Sequence, residues 1–319
     1  MSYFIGIDGG SSKADFALYR DSGELVSEHK TSGISYAEIG IDTVCNILEQ
    51  SIAQLSAGID RSDIKGVCFG MPCFDEQPEK DHEAARQIEQ ALGLPMRFEN
   101  DVACAWAGPL AFQSGISMLA GTGAMAWGYD VHGVMHRCGG WSHAYSDEGS
   151  GYWLGLKTLE YFTKQSDGRL VRGPLYDIVR EHFALKNDWD LINIADEQYL
   201  PSRKGVASLQ PLLLRAAREG DQSALDLYVK AANEFVMMIK ALRNSIDLKP
   251  ESPVSYAGGL FNAGEVLLEP FKKALAETDM VFIEPILTPR EGALLLAVDR
   301  FDPEKLDPIR QARILLKNS

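Results

Sequence analysis

The spacing of apolar residues along the chain predicts two successive runs of β-strands and α-helices. Short apolar stretches favour strands, whereas apolar positions three or four residues apart, as over 36–56, favour a helix. The first run has the order β-β-β-α-β-α-β-α and ends near Gly108-Pro109. Its strands are expected at 3–8, 14–19, 24–29, 65–70 and 95–99, and its helices at 36–56, 80–92 and from Asn100.

A second run of the same kind begins near residue 116 and indicates an internal duplication. Its first two strands, 116–121 and 124–129, flank a glycine turn, as the first two strands of the chain do. A hairpin turn then follows in both runs, Asp21-Ser22-Gly23 in the first and Asp130-Val131-His132-Gly133 in the second. The chain is therefore predicted to contain two ribonuclease-H-like α/β units.

The second unit is predicted to be the larger, because a mainly helical insert fills about 170–247. A last helix is expected from Thr288-Pro289-Arg290-Glu291, which offers an N-cap, a proline at the first helical position and a Glu that reaches back. Between the insert and that helix, the spacing predicts a strand, a helix and a strand, at 253–257, 263–276 and 280–284. The two domains are expected at 1–112 and 113–319.

Composition narrows the classes of function. Lys and Arg total 31 and Asp and Glu 45, a net charge of −14, which disfavours general affinity for nucleic acid or anionic membranes because phosphate contacts need clustered cations. No apolar run approaches the roughly 18 residues that span a bilayer, and the start lacks the pattern of a signal peptide. Five scattered cysteines indicate reduced thiols. A cytoplasmic protein is expected.

Two pairs of potential metal ligands are weak candidates. Cys68 and Cys73 have no second cysteine pair to complete a zinc site, and buried small hydrophobic residues are the simpler interpretation. His132 and His136 are four residues apart, but in a predicted hairpin rather than a helix. Neither pair is predicted to bind a metal.

The first glycine turn, Asp8-Gly9-Gly10-Ser11-Ser12-Lys13, follows the first strand. Glycines allow a tight turn whose backbone N–H groups can point at an anion, and the two serines and the lysine add donors. It is not a P-loop, since the glycine spacing is wrong and a strand follows. The alternatives are a phosphate-binding turn and a plain β-hairpin.

The second glycine turn, Gly121-Thr122-Gly123, begins a match to the dinucleotide fingerprint G-x-G-x-x-A. That fingerprint needs a helix next, whereas Ala124–Tyr129 is predicted to be a strand. Two glycine hairpins on two similar domains instead suggest a nucleotide whose phosphates are held by both.

Three further segments each have a structural and a functional interpretation. Asn100-Asp101 is either a helix N-cap or a segment that places Asp101 at the carboxyl end of a strand, where open α/β sheets have their chemistry. The run from Cys138 to Tyr152 is either an irregular capped loop or a loop that offers main-chain groups and Asp147 to a polyhydroxyl ligand. Residues 254–262 form either an ordinary βα loop or a turn that lets the backbone approach a flat ring such as adenine.

Taken in order, these segments resemble N-acetylglucosamine kinases, and the chain is similar to the BadF/BadG/BcrA/BcrD ATPase family in the superfamily of sugar kinases, actin and heat-shock chaperones. The resemblance covers about residues 3–300, and it rests on an ordered set of short motifs. These are Asp8-Gly9-Gly10, Asn100-Asp101, Gly121-Thr122-Gly123, Cys138-Gly139-Gly140-Trp141, Asp147-Glu148-Gly149-Ser150 and Ala257-Gly258-Gly259.

The resemblance implies a duplicated ribonuclease-H-like (actin-like ATPase) fold in which ATP lies in a cleft between the two domains. It implies that Asp8 holds Mg²⁺ through water and that Asp101 is the catalytic base. The implied ATP-binding residues are Gly9, Gly10, Ser11, Ser12, Lys13, Gly121, Thr122, Gly123, Gly258 and Gly259. The implied sugar-binding residues are Ser35, Asn100, Asp101, Thr122, Gly139, Gly140 and Asp147. A homodimer is also implied.

Some positions depart from the family pattern. Ser35 replaces a sugar-binding Asn, Ser146 stands where Gly usually precedes the Asp-Glu-Gly-Ser run, and Ser11-Ser12 stands where Gly-Thr is typical. None of these changes touches Asp101. The changes at 35 and 146 leave the identity of the sugar open.

The expected activity is transfer of the γ-phosphoryl group of ATP to N-acetylglucosamine, at the 6-hydroxyl, with an ordinary carboxylate pKa sufficient for the base. Glucosamine is the alternative acceptor. Two other functions stay open, an ATPase that activates a radical dehydratase and a sugar-sensing regulator without turnover. Cys138 is the one cysteine in a glycine loop, whereas such activators carry cysteines for a shared iron–sulfur cluster; such regulators usually add a helix-turn-helix, which is not expected before the first strand.

Overall fold

The structure, a computed structural model, describes residues 1–10 and 13–317 and places them in two compact units. The first unit comprises residues 1–113 together with the chain from 283 onward, and the second comprises 114–282. No helix within the described ranges is both long enough and apolar enough to cross a bilayer.

Ten strands form two sheets of five strands each. The strands are β1 Tyr3–Gly9, β2 Lys13–Arg20, β3 Leu25–Ser32, β4 Ile64–Met71, β5 Met96–Asn100, β6 Gly115–Ala120, β7 Ala124–Tyr129, β8 Met135–Gly139, β9 Pro253–Ala257 and β10 Val281–Phe282.

Helices cover much of the remaining chain. The α-helices are α1 Tyr36–Ile39, α2 Ile41–Leu55, α3 Pro78–Leu92, α4 Asp101–Ala107, α5 Gly151–Ser166, α6 Pro174–His182, α7 Leu191–Ile194, α8 Arg203–Ala207, α9 Gln210–Arg218, α10 Gln222–Arg243, α11 Glu265–Leu275, α12 Pro289–Phe301 and α13 Leu306–Lys317. Short 3₁₀ or π segments lie at Arg61–Asp63, Asp188–Asp190, Ala195–Tyr199, Gly259–Ala263 and Pro303–Lys305.

The first sheet has the strand order β3-β2-β1-β4-β5. Only short stretches of sequence separate β1, β2 and β3, and these three strands pair antiparallel. Helices precede β4 and β5, which run parallel to β1. On one face, residues such as Ile5 and Ile7 of β1 pack with Leu48 of α2 and Ile88 of α3, all with no exposed surface.

The second sheet repeats this topology in the order β10-β9-β6-β7-β8. Here β6, β7 and β8 pair antiparallel and β9 and β10 run parallel to β6, as in the first sheet. Its core includes a cluster of three aromatic rings, those of Phe235 in α10, Phe261 in the 3₁₀ segment Gly259–Ala263 and Phe271 in α11. The equal strand order confirms the predicted duplication and the α/β fold class.

The last helices lie in a different unit from the one predicted. The sequence assigned everything after residue 112 to the second domain, but residues from 283 onward belong to the first unit. The reason is that α12 packs against β1, β4 and α4 and is buried almost throughout, from Glu291 to Val298. Its start agrees with the sequence, since Thr288 and Glu291 form the reciprocal hydrogen bonds of a capping box.

Two predicted elements are shorter than expected. The helix at 36–56 is divided at Gly40, whose φ of 79° is not helical. The strand expected at 280–284 contains two residues. The mainly helical insert is present, and it runs from α6 to α10.

Candidate active site

The carboxyl ends of β1, β4 and β5 bring Asp8 and Asp101 to the same edge of the first sheet. Asp8 lies opposite Gly70 in the β1–β4 pair, and Asp101 directly follows β5, the next strand. A Cβ at Gly70 would lie 2.6 Å from Cys104 Sγ and 3.3 Å from Asp101 Cα. Glycine at this position therefore lets the first turn of α4, with Asp101 on it, lie against the strand end.

Asn100 fixes where α4 begins. Its Oδ1 accepts a hydrogen bond from the N–H of Val102 at 3.1 Å, and its Nδ2 donates to the carbonyl of Phe74 at 2.7 Å. Both ends of this buried amide thus have partners within the protein. The N-cap interpretation of Asn100 is what the geometry supports, and Asp101 becomes the first residue of the helix.

The pKa of each of the two carboxyl groups is raised, mainly by burial. Burial, followed by the negative charge of Asp8, raises the pKa of Asp101 from 3.8 to about 8, against hydrogen bonds from backbone N–H groups. Burial and the charge of Asp15 raise the pKa of Asp8 to about 6, although Lys13 and Arg290 oppose the shift. The sequence analysis needed no more than an ordinary carboxylate pKa at position 101, and the surroundings of Asp101 raise its pKa above that range.

Asp15 and Arg290 belong to this site although the sequence motifs missed them. The hairpin register places Asp15 of β2 opposite Asp8, so both side chains lie on the same face. Arg290, at the start of α12, donates from Nη1 to Asp15 Oδ1 at 2.9 Å and to Glu28 Oε2 at 2.6 Å. The hairpin alone could have revealed Asp15, whereas Arg290 lies 275 residues away in sequence.

The first glycine turn is closed by backbone hydrogen bonds. Gly10 donates from its N–H to the carbonyl of Lys13 at 2.9 Å, and its own carbonyl accepts from Ile34 at 3.2 Å. The second contact brings the next residue, Ser35, close to the turn; Ser35 is 7% exposed, and its hydroxyl makes no capping bond to α1. The predicted phosphate ligands Ser11 and Ser12 lie outside the described residues.

Asp8 fits the way proteins hold Mg²⁺ on a nucleotide. Within residues 1–10 and 13–317, no group of three His, Cys, Asp or Glu side chains could hold a metal by itself. Mg²⁺ needs no such group, because it keeps several waters and takes one or two carboxylates together with phosphate oxygens. A single half-buried carboxylate, to which no side chain of the described ranges donates a hydrogen bond, matches that requirement.

The second glycine turn is tied to the start of α5. The carbonyls of Gly121 and Thr122 accept hydrogen bonds from the N–H groups of Gly151 and Tyr152 at 2.8 and 3.1 Å. Ser150 caps the helix by accepting from Trp153. The turn leads directly into β7, as predicted, so the dinucleotide fingerprint is excluded by the local structure.

Two predicted sugar-binding residues of the second unit, Gly140 and Asp147, are hydrogen-bonded to Ala124, the first residue of β7. The carbonyl of Ala124 accepts from Gly140 at 3.1 Å, and its N–H donates to Asp147 Oδ1 at 3.4 Å. Asp147 is only 1% exposed, with a left-handed φ of 66°, and it forms an ion pair with Arg203. Arg203 was not predicted, because 56 residues of sequence separate the two.

Gly258 and Gly259 lie at the same end of the second sheet. They directly follow β9, and β9 pairs with β6, which leads into the second glycine turn. Each unit thus gathers its predicted residues at one end of its own sheet. In the first unit these are Asp8, Gly9, Gly10, Lys13, Ser35, Asn100 and Asp101, and in the second they are Gly121, Thr122, Gly123, Gly139, Gly140, Asp147, Gly258 and Gly259.

Comparison with known proteins gives consistent matches over most of the chain. The model of the BadF/BadG/BcrA/BcrD ATPase family matches residues 5–297. The N-acetyl-D-glucosamine kinase of Dictyostelium discoideum is 26% identical over 93% of this chain and 98% of its own length. The N-acetylmuramic acid/N-acetylglucosamine kinase of Clostridium acetobutylicum is 28% identical over 86% of this chain and 90% of its own.

A solved structure shows the same fold. It is that of a Chromobacterium violaceum protein named as a candidate N-acetylglucosamine kinase. It superposes with a TM-score of 0.75 at 24% sequence identity, over 93% of this chain and 99% of that one.

Proposed function

Because the chain belongs to the BadF/BadG/BcrA/BcrD ATPase family, we propose that it is an ATP-dependent kinase of an amino sugar. The proposed acceptor is N-acetylglucosamine, phosphorylated at its 6-hydroxyl. The names of the two kinase relatives support this acceptor, and the retained Asp147 and Gly139-Gly140 segments support a polyhydroxyl ligand.

The pair formed by Asp8 and Asp101 is the observation that carries the proposal. Phosphoryl transfer requires little covalent chemistry from the protein, so catalysis comes from positioning and from charge stabilisation. Asp101, as general base, would orient the acceptor hydroxyl and take its proton. A pKa of about 8 suits this role, because a base works best when its pKa is near the operating pH.

The glycine turns are the proposed phosphate-binding elements. Backbone N–H groups of the two turns, with the ammonium of Lys13, would offset charge on the phosphate oxygens. The N–H groups of Gly10 and Gly121 are not among them, because they are bonded within their own turns. Asp8 would hold Mg²⁺ through water, and the bound ion supplies further positive charge at the phosphates. Gly258 and Gly259 would lie beside the adenosine, where a chain without side chains permits close approach.

The proposed acceptor contacts come from both units. Asp147, Gly139 and Gly140 would bind sugar hydroxyls or the acetamido group in the second unit, and Thr122 would touch both ligands. In the first unit, Ser35 supports the proposal because its poorly exposed hydroxyl makes no capping bond. Asn100 is the weakest of these assignments, since both ends of its amide already have protein partners.

A coupled assay of ADP release tests the proposal. The purified protein is supplied with Mg²⁺-ATP and with N-acetylglucosamine, glucosamine or no sugar, and the product is identified by ³¹P NMR. We expect sugar-dependent ADP release and a 6-phosphate. ADP release that no sugar stimulates would favour an ATPase, and sugar binding without ADP release would favour a regulator; either result rejects the kinase. Faster turnover of glucosamine would replace the proposed acceptor by its alternative.

A further inference from the structure

The Asp147–Arg203 ion pair joins a buried carboxylate to a partly exposed guanidinium. Arg203 Nη2 lies 2.5 Å from Asp147 Oδ2, and the other carboxylate oxygen accepts from the N–H of Ala124. The side chain of Asp147 is 1% exposed, whereas that of Arg203 is 42% exposed. The carboxylate is therefore neutralised from one side by a cation whose surface is partly open to solvent.

Arg203 reaches Asp147 from the helical insert and passes over the second glycine turn. A Cβ at Gly123 would lie 2.3 Å from Arg203 Nη2 and 3.1 Å from both oxygens of Asp147. The missing side chain at 123 thus makes room for the pair. Arg203 is the first residue of α8, which Ser202 caps and whose buried Val206 anchors it.

Charge neutralisation has a consequence for the acceptor. A bare carboxylate would attract the protonated amino group of glucosamine more than the neutral acetamido group of N-acetylglucosamine. With Arg203 bonded to it, the same carboxylate presents little net charge, and the guanidinium is the more exposed member of the pair. Since free amino sugars are cationic below neutral pH, this pair bears on which of the two sugars is preferred.

We propose that Arg203, by orienting and neutralising Asp147, makes the acceptor site prefer an N-acetylated amino sugar over the protonated free amino sugar. Arg203 is thus a positioning residue for Asp147 and a determinant of acceptor specificity. The inference rests on the proposed kinase function and on the role of Asp147 in acceptor binding.

The test compares kcat/KM for N-acetylglucosamine and glucosamine below neutral pH. In Arg203→Gln the carboxylate keeps its charge, so the ratio should shift toward glucosamine by roughly three- to tenfold. In Asp147→Asn the guanidinium keeps its charge, so the ratio should shift the other way, whatever the loss of rate. In the double variant the ratio should return close to that of the wild type.

Arg215→Gln is the matched control. Arg215 lies on α9 of the same insert, is 51% exposed and pairs with Glu181 and Glu219, so its removal should not change the ratio. Arg203→Lys keeps the charge without the planar fork and should hold the ratio near the wild-type value. High salt should reduce the shift in Arg203→Gln, because salt screens the attraction between the unpaired carboxylate and the ammonium group of glucosamine.

Two results would overturn the inference. One is an unchanged acceptor ratio in Arg203→Gln. The other is a rise in the KM for ATP with unchanged acceptor parameters, which would place Arg203 on the nucleotide. Calorimetric binding of both sugars to the same variants supplies a readout without turnover. A wild type that binds and phosphorylates neither sugar would reject the proposed function itself, a result distinct from both.

Discussion

The two sheets have the same strand order and directions, but the residues at the ends of their strands differ. In the first, β1 ends in Asp8-Gly9, and a five-residue β5 leads into Asp101. In the second, β6 ends with the apolar Ala120 and β10 has two residues. The carboxylate of the second unit, Asp147, instead comes from the loop after β8. Duplication has thus kept the scaffold while the charged groups at its edge differ.

The carboxylates of the two units also differ in their partners. In the first, the half-buried Asp8 and Asp101 have no bonded cation among the described residues, and the pKa of each is raised, mainly by burial. In the second, Asp147 is paired with Arg203. A half-buried carboxylate without a bonded cation is suited to proton transfer, whereas a paired one presents little net charge. Under the proposed function, we therefore expect proton transfer in the first unit and acceptor recognition in the second.

Asp101→Asn should have the largest effect on activity. An amide cannot accept the proton of the acceptor hydroxyl, so kcat should fall on the order of 10²-fold or more while ATP binding stays near normal. Turnover by coupled assay and binding of an ATP analogue by calorimetry measure the two quantities. The matched control is Asp42→Asn, which removes an exposed carboxylate from the first turn of α2. Turnover close to the wild type would exclude Asp101 as the base.

Asp8→Asn should have the next largest effect, and on a different quantity. If Asp8 holds Mg²⁺, the concentration of Mg²⁺ that gives half-maximal rate should rise about tenfold or more. Asp15→Asn is the control, because Asp15 lies opposite Asp8 but is bonded to Arg290. An equal change in both variants would show that general negative charge, rather than Asp8 itself, sets the Mg²⁺ requirement.

The sequence could predict features that depend on residues close together in the chain. The N-cap at Asn100, the capping box at Thr288 and Glu291, and the glycine turns between paired strands depend on residues a few positions apart, and the structure confirms them. The motif order was also sufficient for the family, which the family match confirms. The order of motifs carries this information because each stands at the end of a particular strand.

What the sequence could not predict depends on distant contacts. Arg203 meets Asp147 across 56 residues, and α12 returns to the first sheet from the end of the chain. The apolar surface of α12 predicts deep burial, but it does not specify which sheet covers it. The raised pKa of Asp101 likewise requires knowing that β1 and β5 flank β4, which no local pattern shows.

Gly70→Ala should reduce both stability and activity. The added methyl group would overlap Cys104 Sγ and press on Asp101 Cα, and overpacking of this kind costs about 1–3 kcal/mol. The matched control is Gly121→Ala in the second turn, where no atom lies within 4 Å of the added methyl and stability should not change. Equal unfolding midpoints for the two variants would contradict the close packing of α4 on β4.

An Asp-to-Asn substitution should raise stability at position 101 in the first unit and lower it at position 147 in the second. The folded state raises the pKa of Asp101 from 3.8 to about 8, so between these values it binds more protons than the unfolded state, and stability falls as pH rises. Asp101→Asn removes this loss: without Mg²⁺ or ATP, its unfolding midpoint should match the wild type below about pH 4 and exceed it by roughly 3 °C or more near pH 8.

Asp147→Asn leaves Arg203 without its partner and should lower stability by about 1–2 kcal/mol, discounted for the exposure of the arginine. Scanning calorimetry across pH measures the unfolding midpoints of both variants. Changes of the same sign near pH 8 would contradict the difference between the two carboxylates.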